Sequence, residues 1–162
     1  MSSTTKEKYA MKTINLSGFG EEYKERLINE VLIMARLHHQ NIVKLYEVYE
    51  SENVLYLIME LLSGGELYTR LVNSPSNYEF FQQYSFIVGK FSEEYTRYII
   101  SEILKAIVYL HETKNIVHRD LKLANIMFSD PFPDSQIKLI DFGLSKVLWL
   151  QIPISFLDHY EF

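Results

Sequence analysis

Two short segments, joined by a predicted strand hairpin, restrict what this chain can fold into more than any other feature. Residues 118–125 read His-Arg-Asp-Leu-Lys-Leu-Ala-Asn, and residues 141–143 read Asp-Phe-Gly, beginning sixteen positions after Asn125 (141 − 125). The apolar runs at 126–128 and 137–140 lie between them and predict two short strands around a loop that holds two of the chain's four prolines. Because a hairpin brings its two ends together, the sequence predicts that both segments meet at one place.

The two segments contain the side chains that phosphoryl transfer requires. Asp120 is a carboxylate that can orient an attacking hydroxyl, and Lys122 is a cation that can lie beside the γ-phosphate. Asn125 and Asp141 supply hard oxygen ligands of the kind that hold Mg²⁺ between phosphates. Either segment alone is also typical of an ordinary surface turn, but the two in this order and at this spacing indicate ATP-dependent phosphoryl transfer.

A lysine on a predicted strand near the start of the chain belongs to the same chemistry. Lys12 lies in the apolar run Tyr9–Ile14, where it could reach the α and β phosphates of a nucleotide. It needs a carboxylate partner, and Glu30 follows eighteen positions later (30 − 12) inside a predicted amphipathic helix at about 21–37. Glu30 could also be a solvated charge, but its position among the apolar residues of the helix favours the pair.

The remaining periodic segments predict a mixture of strands and helices. The runs 42–49 and 53–59 predict an antiparallel hairpin, and residues 66–72 predict a short helix. Ser92, followed by two glutamates, predicts the start of a longer helix. Its predicted buried stripe consists of Ile99, Ile103, Ile107 and Leu110. This succession of elements predicts an α+β fold without internal repeats.

Composition excludes several classes of protein. The 162 residues include 16 Lys plus Arg against 21 Asp plus Glu, and the net charge of −5 makes nucleic acid an unexpected partner. The absence of cysteine excludes disulfides, thiolate metal sites and a cysteine nucleophile. No secretory signal and no window of about 18 apolar residues is present, so we expect a soluble cytoplasmic protein without membrane contact.

Two stretches differ from their surroundings. Residues 74–88 contain five Phe or Tyr residues with one charge and have no clear period, which predicts an insertion. Residues 147–162 contain the only tryptophan and many apolar residues, and we leave this tail unassigned. Our hypothesis is that both are translated intron or frameshifted sequence. The alternative is an ordinary hydrophobic loop or terminal helix.

On these motifs the chain resembles the eukaryotic protein kinase domain, and within it the Ser/Thr kinases that depend on calcium/calmodulin or calcium. The resemblance runs from Lys8 to Lys146 and is interrupted at 74–88. It implies an α+β fold of two lobes, here a partial N-lobe at 1–62 and a partial C-lobe at 63–146. It also implies ATP and Mg²⁺ as cofactors and protein Ser or Thr residues as substrates.

The resemblance also implies roles for individual residues. Lys12 and Glu30 match the ion pair of the family, Asp120 its base, Lys122 its γ-phosphate cation, and Asn125 and Asp141 its Mg²⁺ ligands. Around the nucleotide, the matching positions are Ala10 at the roof, Met59 at the gatekeeper, Glu60 and Leu62 in the hinge, Glu66 beside the ribose, and Met127 at the floor. The four side chains that match the stack through both lobes are Met34, Leu45, His118 and Phe142.

The chain also departs from the family pattern. None of its six glycines forms Gly-x-Gly-x-x-Gly before Lys12, and no Ala-Pro-Glu follows Lys146. Leu123 and Ala124 replace the common Pro-Glu, which we expect to be a mild change. We therefore expect a domain that is incomplete at both ends and weak or inactive in transfer, with exposed apolar surface that promotes association. The alternatives are a non-catalytic binding or regulatory module and an incomplete gene model.

Overall fold

The computed structural model describes residues 7–72, 91–132 and 134–147. The predicted insert at 74–88 and the tail beyond Val147 lie outside these residues. The described strands are β1 (Tyr9–Asn15), β2 (Leu45–Ser51), β3 (Val54–Glu60), β4 (Ile116–Val117), β5 (Ile126–Phe128), β6 (Ile137–Leu139) and β7 (Lys146–Val147). The helices are α1 (Glu21–Ala35), α2 (Leu67–Val72) and α3 (Glu93–Val108), and α3 continues into a π-helical turn at Tyr109–Thr113. The α+β class is as predicted.

The first half of the chain forms an antiparallel sheet in the order β1-β3-β2, with α1 packed against it. Leu27 and Val31 of α1 form a cluster with Leu55 and Leu57 of β3, because the apolar stripe of the helix faces the buried side of the sheet. Two glutamates in the first turn of α1 complement the helix dipole. The helix ends at Ala35, two residues before the predicted end at Leu37.

The predicted hairpin of 42–49 and 53–59 is present, but its first strand begins later than predicted. Strand β2 begins at Leu45, because Ile42 and Val43 bond to a different strand. Ile42 forms a parallel bridge with Leu139 of β6, and the Val43 N–H donates to the Leu139 carbonyl at 3.0 Å. The segment between α1 and β2 therefore connects the first sheet to the second half of the chain.

Helix α3 begins as predicted, but its buried face is rotated from the predicted one. The Ser92 side chain caps the helix by accepting a hydrogen bond from the Tyr95 N–H at 3.1 Å. Ile99 and Leu110 are buried as predicted, whereas Ile103 and Ile107 are only half-buried. Glu102 and Ala106 are buried instead, because the Glu102 carboxylate accepts a hydrogen bond from Asn41 in the segment before β2.

One hydrophobic core passes through both halves of the described chain. It contains Met34 and Leu37 from the first half together with Phe128, Leu139 and Phe142 from the second. The strands between the two motifs thus share one core with α1. Within the described ranges, no helix is both long and apolar enough to span a bilayer.

Candidate active site

Three of the predicted site residues are joined by hydrogen bonds in the loop between β4 and β5. Lys122 Nζ lies 2.6 Å from Asp120 Oδ2, and Asn125 Nδ2 donates to the same oxygen at 2.8 Å and to the Asp120 carbonyl at 2.9 Å. The hydrogen bond from Lys122 lowers the pKa of Asp120, and the same contact raises the pKa of Lys122. Both groups are therefore charged at neutral pH, which leaves the carboxylate able to accept a proton.

His118 is buried under this loop and fixes its backbone. The Asp120 N–H donates to His118 Nδ1 at 3.3 Å, so the ring proton lies on Nε2, which faces the Ile140 carbonyl at 3.2 Å. The ring also contacts the Phe142 ring, with 4.9 Å between centroids. Burial lowers the pKa of His118, which keeps the imidazole neutral. A single neutral side chain thus connects the Asp120 loop to the strand end that precedes Asp141.

The backbone brings Asp141 beside Asn125. The Ile140 N–H donates to the Asn125 carbonyl at 2.9 Å, so the next residue, Asp141, emerges next to the loop. Asp141 has a φ of 63° and Arg119 a φ of 66°, a left-handed conformation that costs energy for both residue types. The Asp141 side chain accepts a hydrogen bond from the Gly143 N–H at 3.1 Å. The two predicted metal ligands are therefore neighbours on connected backbone.

Lys12 and Glu30 form the ion pair that the sequence predicts. Lys12 Nζ on β1 lies 3.2 Å from Glu30 Oε1 on α1, with 47% of the lysine side chain and 11% of the glutamate side chain exposed. A methyl group at Gly143 would lie 3.3 Å from Glu30 Oε2 and 3.2 Å from Asp141 Oδ1. The Glu30 and Asp141 carboxylates thus both lie close to Gly143, and a larger residue at this position would require them to shift.

The residues predicted around an adenine ring lie on β1, at the end of β3 and on β5. Ala10 is the register partner of Met59, which places the predicted roof beside the predicted gatekeeper. The Glu60 N–H donates to the Lys44 carbonyl at 2.9 Å, and the Glu60 carboxylate lies 2.7 Å from Lys138 Nζ. The side chain and amide of Glu60 are therefore engaged within the protein.

The chain that follows β3 runs along β5. Glu66 is exposed and forms an antiparallel bridge with the half-buried Met127. Leu62 packs against the core, and among the turn and loop hydrogen bonds of the described residues none involves the Leu62 backbone. The predicted hinge and ribose positions thus lie on one segment, and the predicted floor position lies on the strand that is bridged to it.

The four side chains predicted to stack through both lobes share one cluster. Met34 and Phe142 are core residues, Leu45 packs against the same core, and His118 contacts Phe142. This places α1 and the Asp141 segment in one shared apolar core.

Sequence reasoning missed two buried polar pairs near the site. Lys138 lies between two apolar residues of β6, where the alternation of a strand predicts an exposed side chain. It is buried instead, and its partner is Glu60. Asn41 donates to Glu102 at 2.9 Å and to the Ile137 carbonyl at 3.0 Å. The available signal was a charged residue in each predicted element, Lys138 in the strand and Glu102 in the helix. The partners Glu60 and Asn41 are distant in sequence, and Glu102 also pairs with the nearby Lys105.

The donor set can hold a divalent metal only in part. Asn125 and Asp141 present one amide and one carboxylate, and the part of the chain that is described contains no group of three or more His, Cys, Asp or Glu side chains arranged for a metal. Mg²⁺ keeps several waters and commonly takes one or two protein ligands plus phosphate oxygens. The residues present therefore fit a metal that is completed by a bound nucleotide.

The sequence and the fold both lead to one family of phosphotransferases. The protein kinase domain family matches residues 1–155 of the chain, nine residues past Lys146 (155 − 146). Calcium-dependent protein kinase 5 of Plasmodium berghei is 45% identical over 122 residues, which are 75% of this chain and 19% of that protein. Myosin light chain kinase A of Dictyostelium discoideum is 37% identical over 144 residues, 89% of this chain and 44% of that protein. Human calcium/calmodulin-dependent protein kinase type 1B is 41% identical over 125 residues, 76% of this chain and 32% of that protein.

This chain belongs to the protein kinase domain family, and its similarity to the calcium- and calmodulin-dependent Ser/Thr kinases confirms the predicted resemblance. It spans less than half the length of these relatives.

Proposed function

We propose that this domain transfers the γ-phosphoryl group of ATP to serine and threonine hydroxyls of proteins. The observation that carries the proposal is the hydrogen-bonded group of Asp120, Lys122 and Asn125, connected through backbone to Asp141. Phosphoryl transfer depends on positioned charges more than on covalent chemistry, and this group combines a carboxylate, a cation and metal-binding oxygens. The domain-family match and the kinase relatives support the same reaction.

Each charged residue has a separate role in the proposed reaction. The substrate hydroxyl oxygen bonds to the γ-phosphorus while the bond from that phosphorus to the β–γ bridging oxygen breaks, and the hydroxyl proton passes to Asp120. Lys122 stabilises the transferred group, and Lys12, held by Glu30, contacts the α and β phosphates. Asn125 and Asp141 would hold Mg²⁺, which neutralises charge that develops on the phosphates.

The adenosine end is assigned to β1, the segment after β3, and β5. We place the adenine ring between Ala10 and Met127, with its polar edge against the backbone of the hinge, Glu60–Leu62. The side chain and amide of Glu60 are engaged elsewhere, so its carbonyl and the Leu62 amide are the groups proposed to contact adenine. The exposed Glu66 is proposed to contact the ribose.

The arrangement of the chain is part of the proposal. We assign residues 1–62 to the N-lobe, 63–146 to the C-lobe with an insert at 74–88, and 147–162 to a tail. We further propose that the 162-residue polypeptide by itself transfers weakly. Lys12 and Lys122 are each about half exposed, at 47% and 52%, and exposed charges position a phosphate less firmly than enclosed ones.

A second candidate function is a non-catalytic binding or regulatory module. The observation that favours it is an apolar ridge on α3. The ridge is formed by Ile100, Leu104 and Val108, each of which is about half exposed. Apolar surface of this kind is typical of protein contact sites. This candidate requires contact with another protein and no transfer.

A transfer assay on the purified 162-residue chain separates these candidates. We would measure transfer from labelled ATP to Ser/Thr peptides, and ATP binding displaced by adenosine, with Asp120→Asn as the matched control. We expect binding in both proteins and slow transfer that the control lacks. Binding without transfer would favour the module, and absence of adenosine-sensitive binding would contradict the proposed site. Robust turnover that disappears in the control would contradict only the weak activity.

A further inference from the structure

Arg70, on α2, is a partly buried cation that contacts the segment after the hinge and the strand that carries the proposed floor residue. Its Nε donates to the Gly64 carbonyl at 2.8 Å and its Nη2 to the Asp130 carbonyl at 2.6 Å. Nη1 donates to the Phe132 carbonyl at 3.3 Å, and the guanidinium carbon lies 3.8 Å from the centre of the Phe128 ring. One side chain therefore joins the chain that leaves the hinge, strand β5 and the loop after β5.

The two segments that Arg70 joins are already aligned by backbone hydrogen bonds. The Ser63 N–H donates to the Ser129 carbonyl at 2.9 Å, the Gly64 N–H to the Phe128 carbonyl at 3.1 Å, and the Phe128 N–H to the Gly65 carbonyl at 2.9 Å. These bonds set which residues of the hinge exit, residues 63–66, face which residues of β5. The Glu66–Met127 bridge, which joins the proposed ribose and floor positions, continues this alignment.

The chemistry of the contacts requires an arginine. A guanidinium presents its donors from a rigid plane that can also stack on an aromatic ring, whereas a lysine ammonium is a point charge that cannot do both. Burial lowers the pKa of Arg70, and in the described ranges the guanidinium forms no ion pair with a carboxylate. Its polar partners here include three backbone carbonyls and the Tyr95 side chain, so its contribution is geometric more than one of charge pairing.

We propose that Arg70 is a positioning residue for nucleotide binding, which holds Leu62 and Glu66 in register with Met127 so that adenine and ribose are received together. This inference rests on the proposed function. It locates the effect of Arg70 at the adenosine end, since the hydrogen bonds and the ring contact of Arg70 given above do not involve Asp141. Loss of the guanidinium therefore weakens adenosine and ATP equally and leaves the strengthening of ATP binding by Mg²⁺ unchanged.

The test measures calorimetric binding of adenosine, ATP and Mg-ATP to the 162-residue chain and to Arg70→Lys and Arg70→Met. We expect both variants to lose about tenfold in affinity for adenosine and for ATP, equivalent to about 1.4 kcal/mol. The ratio of ATP affinities with and without Mg²⁺ stays the same. The matched control is Arg97→Lys on α3, whose exposed ion pair with Glu93 is far from the hinge exit in the sequence and is expected to leave every affinity unchanged.

Circular dichroism and thermal unfolding of each variant separate positioning from folding. Loss of adenosine affinity in a fully folded Arg70→Lys supports the proposal. Unchanged adenosine affinity, a changed Mg²⁺ ratio, or an affinity loss that only follows the unfolded fraction would overturn it. If the unaltered chain is folded and binds no adenosine, both this proposal and the proposed function are wrong. Binding by the unaltered chain with an unaffected variant overturns this proposal alone.

Discussion

Single side chains in this domain act through the backbone that they hold. His118 is the clearest case, because its neutral ring accepts from the Asp120 N–H and faces the Ile140 carbonyl. Protonation of Nδ1 would remove the acceptor for the Asp120 amide. The position of the proposed base therefore depends on the charge of a histidine that does not contact the substrate in our proposal.

We predict that acidification destabilises the fold through His118. Burial lowers its pKa in the folded state below the unfolded value of about 6.5, so the unfolded state binds more protons just below that pH. The contribution of His118 to the free energy of unfolding is therefore fully present above about pH 6.5, and it decreases as the pH falls toward the folded-state pKa. Thermal unfolding between pH 8 and pH 5 should show this decrease.

The matched variant for this experiment is His118→Gln, which does not titrate. Its unfolding temperature should be lower throughout but should depend less on pH than that of the unaltered chain. Burial also lowers the pKa of His39, so a smaller slope should remain. Identical slopes for the two proteins would show that His118 does not carry the effect.

The site residues differ in how well sequence could predict them. The order and spacing of Asp120, Asn125 and Asp141 predict that they lie close together, and the structure places them on connected backbone. The need of a strand lysine for a carboxylate predicts the Lys12–Glu30 contact, which is present. Lys138 was not recognised, because an alternating charge in a short strand is ordinarily exposed. Only the distant Glu60, which no local pattern indicates, makes its burial possible.

Among the elements, the contact between the hinge exit and β5 is packed closely enough to exclude a side chain at Gly64. A methyl group at Gly64 would lie 2.1 Å from the Asp130 carbonyl oxygen and 2.5 Å from Phe128 Cβ. Such distances are far shorter than van der Waals contact, so the two segments would have to separate. The proposed ribose and floor positions lie on these segments, and their spacing depends on this glycine.

We predict that Gly64→Ala lowers the free energy of unfolding by about 1–3 kcal/mol, the usual cost of overpacking. It should also weaken adenosine binding, because the hinge exit moves away from β5. The control is Gly20→Ala, where nothing lies within 4 Å of the added methyl group. Chemical denaturation and calorimetry check both effects. An equal loss of stability in the two variants would contradict the packing argument.

Element boundaries show where sequence patterns reach their limit. The pattern of 42–49 is continuous, yet Ile42 pairs with Leu139 while the strand itself begins at Leu45. Helix α3 was predicted from its cap and its period, but the hydrogen bond between Asn41 and Glu102 selects a rotated face. In both cases a partner distant in sequence decided the outcome, which local periodicity does not contain.

At the scale of the whole molecule, the relevant surface feature is the apolar ridge on α3. It consists of Ile100, Leu104 and Val108, each about half exposed. Three apolar side chains at a spacing of four residues form one line along a helix, which can pack against the same line of a second helix. The sequence leads us to expect association through exposed apolar surface. We therefore predict that this association occurs at the ridge on α3.

We expect the 162-residue chain to self-associate with increasing concentration, and Leu104→Glu to reduce this association. Ser101→Glu introduces the same charge on an exposed position of the same helix and should leave it unchanged. Sedimentation velocity over a range of concentrations measures the effect. Equal association of the two variants would place the contact elsewhere on the protein.

The central claim is that Asp141 and Asn125 bind a metal together with the phosphates of ATP. Asp141→Asn tests it most directly, because it removes one charge while the amide oxygen can still accept from the Gly143 N–H. Adenosine has no phosphates for a metal to bridge, so its binding reports on the fold and on the adenine site alone.

Calorimetry of ATP and adenosine, each with and without Mg²⁺, is the decisive measurement. We predict that Mg²⁺ strengthens ATP binding to the unaltered chain, that Asp141→Asn abolishes this strengthening, and that adenosine binds both proteins equally. The same strengthening by Mg²⁺ in the variant, or the absence of ATP and adenosine binding by the folded unaltered chain, would contradict the account.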